Sequence, residues 1–476
     1  GARLQADGSQ AMLDVPGQGR TSVTSNGGSI SLASANGLYL DGEFSARSGG
    51  TGAAGGSLSV ALETPYYLKS AVNDRVLQVR ELVLGQTAQA SPLSDTAKAS
   101  ADSLIYGHGR LGVDQVQAGG FDSLSLLSNG IISIRGDVSL SLGQSLSLYA
   151  RSFGLSTAAP ADTRVQLNAA HLLLAGPAAS LPNMDSYTRP LIEGDVSPLA
   201  NKAVLSVNAD LLDVQGNVRF SSKGTLRQAN GTTVELERAG FDLVQLSSRG
   251  DLRFLAGFSS EGLPTGFSTQ LMTPSDMILQ AAQLYPATGV GARVLAGYSL
   301  SGTSAYDPAR SLVIGRTTQV TPQVPYSAFG HLQLGSANIE QGGVVRAPLG
   351  LIEVGTNDGT SITSQVDLLP NSLTSVSGLG LVLPYGGTVD GQSYEYAGKK
   401  VVLLGQGAIS YGNGDLNIGV ILGGKSVAAQ EGSVLDLSGG GDLVGAGFIS
   451  GRGGSTDARF NPLVQIPPSL VDEDST

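Results

Sequence analysis

The 476-residue chain is predicted to fold as an all-β parallel β-helix, a solenoid of stacked coils carrying loop insertions. Three observations predict it. Apolar and small polar residues alternate with period two in short runs, as strands buried on one side do. Gly or Asn-Gly punctuates the runs, as at Asn26-Gly27, Asn36-Gly37, Asn129-Gly130, Asn230-Gly231 and Asn413-Gly414, and supplies left-handed turns at low cost. Large rings are scarce. There is no Trp and only 5% of residues are aromatic, so the apolar load rests on Leu, Val, Ile and Ala.

Asn-Gly between strands is also a strong hairpin signal, which makes an antiparallel sandwich or barrel the second option. It fits less well. The usual large core rings are missing, outward positions hold Ser, Asn, Gln and Ala, and no clear linker divides the pattern. In a parallel solenoid each coil lies ~4.8 Å from the next, so small side chains stack on their equivalents. At roughly 20–25 residues per coil, the chain is expected to make about 20 coils and a rod of ~100 Å.

The strands follow in order. "GGSISLASANGLYLDGEFSARSGG" (27–50) alternates in short runs broken by Gly or Asn-Gly. "DVSLSLGQSLSLYA" (137–150) does the same with a break at Gly143. "RVQLNAAHLLLAG" (164–176), "AVLSVNADLLDVQGNVRFS" (203–221) and "GDLNIGVILGG" (414–424) continue it. Three stretches break the pattern. Residues 63–109 carry more charge and mixed periodicity and are expected to be an insertion with short helical turns. Residues 176–202 hold Pro177, Pro182, Pro190 and Pro198 and read as a surface loop, and 299–325 is a third irregular region. Residues 1–457 are thus expected to form one elongated shaft, followed by an irregular acidic extension at 458–476.

Composition bounds the partners. Apolar content of 41% and charged content of 14% exclude a disordered chain. The net charge of −11 comes with no basic stripe, which argues against nucleic acid and against an anionic membrane surface. No apolar run approaches the ~18 residues of a membrane-spanning helix. Cysteine is absent, so burial and backbone pairing alone must hold the fold. The chain opens at Gly1 without a leader-like segment and is expected to be a piece of a longer protein.

One longer repeat stands out. "GFDSLSLLSNGIISIRGDVSL" (120–140) resembles "GFDLVQLSSRGDLRFLAG" (240–257), and each ends in an Arg-Gly-Asp. Arg135-Gly136-Asp137 and Arg249-Gly250-Asp251 could be adhesive ligands, or junctions where Arg precedes a turn Gly. "SNGIISI", "ANGLYL", "QGNVRF" and "GNGDLNI" share that junction without the Arg, so the turn is favoured.

Several phrases resemble segments of filamentous haemagglutinin-like exoproteins. They are "AGGFDSLSL" (118–126), "SRGDLRFLAG" (248–257), "ILQAAQLYPATG" (278–289), "IEQGGVVRAPLGLIEVG" (339–355), "SLTSVSGLGLVLPYGGTVDGQSYEY" (372–396) and "LDLSGGGDLVGAGFISGRGGSTD" (435–457). The resemblance implies a secreted bacterial surface protein with a right-handed β-helical shaft. It also implies export through an outer-membrane barrel transporter by two-partner secretion. The family's N-terminal secretion signature is missing; Asn461-Pro462-Leu463 is the nearest match to its Asn-Pro-Asn and lies at the wrong end.

Candidate sites are few. A glycoside-cleaving β-helix needs two or three carboxylates about 5–9 Å apart on one face. Asp210 with Asp213, and Asp436 with Asp442, are the nearest pairs and read as solvated turn residues. His108, His171 and His331 lack metal-ligand spacing, and His171 reads as an outward strand residue. The Gly-rich segment 438–457 holds one copy of a Gly/Asp pattern that binds Ca²⁺ only in tandem, which leaves Asp436, Asp442 and Asp457 as the alternative to a plain loop. Tyr66, Tyr67, Tyr385, Tyr394 and Tyr396 either stack on sugars or pack an insertion on the shaft. No catalytic, cofactor or metal residue is assigned. The expectation is a structural shaft of an adhesin, with surface glycans or cell receptors as partners. A polysaccharide-processing enzyme and a ligand-free filament are the alternatives.

Overall fold

A computed structural model describes residues 2–35, 37–63, 80–88, 107–176, 201–227, 233–258, 263–299, 305–357, 361–384, 386–389, 393–396, 399–403 and 415–444. The chain is a parallel β-helix with three faces, and strands stack on each face mainly in sequence order. One turn of the helix runs through Val138–Leu142 on the first face, Ser145–Tyr149 on the second and Ser152–Leu155 on the third. Strict alternation is what closes this turn. Leu140, Leu146, Leu148 and Phe153 point inward, while Ser139, Ser141, Ser145 and Ser147 lie on the outside.

Inward positions stack in register across coils. On the second face one row runs Ile30, Leu58, Leu124, Leu146, Leu172, Leu212, Leu252, Leu284, Val345, Thr374 and Leu435. On the first face Val138, Val165, Leu205, Val244, Met277, Leu312, Ile339, Val366 and Val427 form the equivalent row. Together these rows build one continuous core from Ile30 to Val376. Fully burying each such side chain is worth about 1.5–3 kcal/mol, which is how a chain without cysteine or Trp sustains the fold.

Where no loop intervenes the repeat is short: Ser123 stacks on Ser145 after 22 residues, and Gln333 on Glu353 after 20. Corner loops stretch it to 27 residues between Ser141 and Asn168 and to 61 between Ser375 and Asp436. The expected coil length therefore holds locally, but the expected 20 coils do not. Among the described residues the longest row, Ile30 to Leu435, has eleven rungs and spans about 50 Å at ~4.8 Å per rung.

The irregular stretches fall as follows. Glu81–Gly85 lies inside the expected 63–109 insertion, yet it is a rung of the third face. It sits between His108–Gly112 and Ile131–Arg135 and is thus out of chain order. The helical turn is at Val113–Ala118, where it takes one rung of the first face beside Glu43–Ser45. Residues 177–200 and 445–476 lie outside the described residues, and with them most of the second insertion and the acidic extension. In the third, Tyr298–Ser299 and Ala305–Tyr306 pair antiparallel, then Ser311–Arg316 rejoins the first face. After Arg316 the chain leaves the shaft and returns at His331, so Leu284 pairs directly with Val345 on the second face.

Three core rings meet at one irregularity. Among the described residues the third-face sheets meet through an isolated bridge between Phe153 and Phe220. There Phe153, Phe220 and Phe241 pack with centroids 5.9 and 6.4 Å apart. The hairpin Ser222–Arg227/Thr233–Arg238 leaves from this point and folds back along the third face.

Candidate functional site

Most of the outer surface is a set of polar ladders. Outward Ser29, Ser57, Ser123 and Ser145 line up on the second face; Ser57 donates to Ser29 at 2.8 Å and Ser145 to Ser123 at 3.0 Å. On the first face Asn208 donates to Asn168 and Asn168 to Ser141, both at 3.0 Å. These bonds follow from parallel register, which sets like side chains one rung apart.

The second-face ladder then turns charged. His171, Asp213, Arg253 and Tyr285 occupy outward positions of four successive coils. Arg253 grips Asp213 through two nitrogens at 2.7 and 2.8 Å, and His171 Nε2 lies 2.8 Å from the same carboxylate. Asp213 is only 3% exposed, whereas His171 and Arg253 are 42% and 34% exposed. The Asp213 hydrogen bonds push the Arg253 guanidinium up despite its burial. Tyr285 donates to Asp251 at 2.8 Å, and burial together with that carboxylate pushes the phenol up. The cluster is self-satisfied: each acid already has a donor.

Asp210 and Asp213 are both found bound to arginine rather than free. Asp210 pairs with the exposed Arg249, from the second Arg-Gly-Asp. Asp436 accepts from Ser375 at 3.0 Å and from the Ser438 backbone at 3.1 Å. Burial pushes its carboxyl up, but these bonds and nearby Arg346 bring it below the usual range. Asp442 opens the strand Asp442–Val444, while Asp457 lies outside the described residues. Among the described residues no three His, Asp or Glu side chains converge to hold a metal ion.

The other histidines are also engaged. His331 Nε2 is 3.0 Å from Glu353, which accepts from Gln333 as well, and its ring packs on Phe267. His108 belongs to a buried charge cluster. Burial pushes it down, Glu81 pulls it up, and Arg238, Arg110 and Arg80 push it further down. Glu81 is held in two bonds of 2.9 and 3.0 Å by Arg238, which comes 157 residues later at the end of the back-folded hairpin. Burial pushes Glu81 up, and Arg238, with help from Ser133 and His108, more than offsets it, so the carboxyl lies below its usual range. Among the tyrosines, Tyr396 packs on Phe329 with centroids 4.5 Å apart, as an insertion laid on the shaft requires. Tyr66, Tyr67 and Tyr385 lie outside the described residues, as does the side chain of Tyr394.

The two Arg-Gly-Asp tripeptides occupy different corners. Arg135 ends a third-face strand, Gly136 turns with φ of 79°, and Asp137 accepts the Arg164 backbone N–H of the next coil at 2.7 Å. Arg249-Gly250-Asp251 instead joins the first face to the second, and Asp251 opens a strand. The Gly-Phe-Asp repeat is likewise out of phase. Phe121 starts a second-face strand, whereas Phe241 precedes a first-face strand. Similar sequence here records a shared junction chemistry, not a repeated place in the coil.

A groove of about 480 Å³ crosses the first face from Arg164 to Gln280. Gln166, Ser206, Asn208, Gln245, Ser247 and Gln280 line it around Val204 and Ile278. Sequence reasoning did not find it, because its residues come from four coils. The only signal was a run of outward amides.

No protein-family model matches the sequence, and no curated protein or solved structure is significantly similar to it.

Proposed function

We propose that the chain is a structural shaft segment of a large secreted bacterial surface adhesin of the filamentous haemagglutinin type. The observation that carries this reading is the unbroken inward row from Ile30 to Leu435, which makes a rod of the chain. A rod holds a binding tip away from a cell, and its repeated outer ladders offer many weak contacts that add by multivalency. Stacking also suits export. Each coil rests mainly on its neighbours, so a chain leaving an outer-membrane barrel can fold coil by coil. The absence of cysteine leaves nothing to lock the chain before it threads. The enzyme alternative gains no support from Asp210 and Asp213, whose carboxylates are both paired with arginine.

The test is made on the producing bacterium. Antibody against the segment should label intact cells, and deletion of its coding sequence should reduce attachment to host cells or abiotic surfaces. Labelling seen only after lysis would overturn the reading. Turnover of a polysaccharide, lost on Asp213→Asn, would favour the enzyme instead.

A further inference from the structure

We propose that the groove on the first face binds an extended, unbranched β-1,4-linked glycan laid across the coils. The inference rests on the surface-exposed shaft proposed above and adds a site and a ligand class to it. Six amide or hydroxyl side chains line the groove, from Gln166 to Gln280, while Val204 and Ile278 add two separate apolar contacts, two rungs apart. In a chain of net charge −11, no carboxylate or lysine lines it, and Arg164 at one end is its one charge. That lining offers a cationic ligand no counter-charge. An amide both donates and accepts, as a sugar hydroxyl does, so a ladder of amides matches a ring of hydroxyls without a net charge. Each apolar contact can meet the C–H face of a different pyranose.

Register supplies the length match. Gln166, Ser206, Gln245 and Ile278 form one outward row, and Asn168, Asn208, Ser247 and Gln280 the next. Successive rungs stand ~4.8 Å apart, close to the advance per sugar in a flat β-1,4-linked chain. Successive sugars in such a chain are turned by about 180°, so every second rung meets a sugar in the same way, and side-chain amides, which both donate and accept, serve the two orientations alike. Asn168, Asn208, Ser206 and Gln245 bond along the ladder, whereas Gln166 and Gln280 have no side-chain hydrogen bond among the described residues. Their amides stand ready for a ligand.

Affinity electrophoresis tests this with hydroxyethylcellulose, a β-1,4-glucan, cast into native gels. Dextran and polygalacturonate gels serve as the α-linked and acidic arms. The chain should be retarded by the β-1,4-glucan and not by dextran. Ser206→Trp, which fills the groove, and the pair Gln245→Ala with Gln280→Ala should each weaken the apparent Kd about tenfold or more. Far-ultraviolet circular dichroism confirms folding, and the double Gln variant carries the test if Ser206→Trp fails to fold. No retardation by the glucan, or retardation unchanged in the variants, overturns the proposal. So does retardation by polygalacturonate alone that Arg164→Ala removes, which would mark an anion site. Surface labelling that persists while the gel assay fails removes only this inference; lost labelling removes the shaft reading.

Discussion

Asp213→Ala should open the second face of the shaft locally. Asp213 is 3% exposed and accepts two bonds from Arg253 at 2.7 and 2.8 Å, with His171 at 2.8 Å. Charge-assisted bonds contribute about 1.5–3 kcal/mol each and do not add when they share a partner. Removing one member of a fully buried pair costs ~3–5 kcal/mol. Arg253 is 34% exposed, however, and water recovers part of its solvation. The expected cost is therefore about 2–3 kcal/mol. A long solenoid need not unfold as one unit, so a global melting point is the wrong measure. Hydrogen exchange of the amides in 211–215 and 251–255 reads the local opening. They should exchange about thirty- to a hundred-and-fiftyfold faster in the variant. The distant rung at 57–62 should be unchanged. In a double-mutant cycle with Arg253→Ala the coupling should reach at least ~1 kcal/mol. Coupling under about 0.5 kcal/mol, or equal loss of protection at 57–62, would refute the reasoning.

Four further outcomes are expected. Leu212→Ala, in the inward row beside Leu172 and Leu252, should cost ~2–5 kcal/mol, while outward Ser147→Ala should stay within ~0.5, both measured by exchange of their own rungs. Glu81 and His108 both have folded pKa values below their ordinary ones, so the unfolded state binds more protons and stability rises with pH. The contact of the 222–238 hairpin with the third face should be complete above pH ~6.5 and weaken as pH falls, first through the His range and then through the Glu range. Exchange at Leu155 and Ser221, corrected for intrinsic rates, checks this, and Arg238→Ala should remove the lower step. Gly136→Ala should cost about 1–2 kcal/mol, because φ is 79° and the added Cβ meets only Pro160 at 4.0 Å. Gly130→Ala, whose Cβ would come within 2.0 Å of the Arg80 carbonyl, should cost clearly more, and hydrogen exchange of the amides in 131–135 and 138–142 separates the two. Finally, Arg135→Ala with Arg249→Ala should leave cell attachment unchanged, since both tripeptides are held at coil corners.

The sequence by itself determined the stacking unit. Alternation such as Leu140, Leu142, Leu146 and Leu148 decides which side is buried, because side chains in a strand alternate faces. Scarce rings and small outward residues decide that neighbours stack in parallel. The expected coil of roughly 20–25 residues holds where loops are absent, as in the 22 residues between Ser123 and Ser145. The number of coils was not, because periodicity does not say how far a corner loop travels before the chain returns to the shaft. Tertiary structure alone decided which charges meet. Asp213 finds Arg253 after 40 residues and Glu81 finds Arg238 after 157, distances set by coil count and by a hairpin that folds backward. It also placed two like-sounding tripeptides at different corners, and it gathered the first-face groove from four separate coils. A local pattern fixes which way a side chain points; only the winding fixes what lies one rung away.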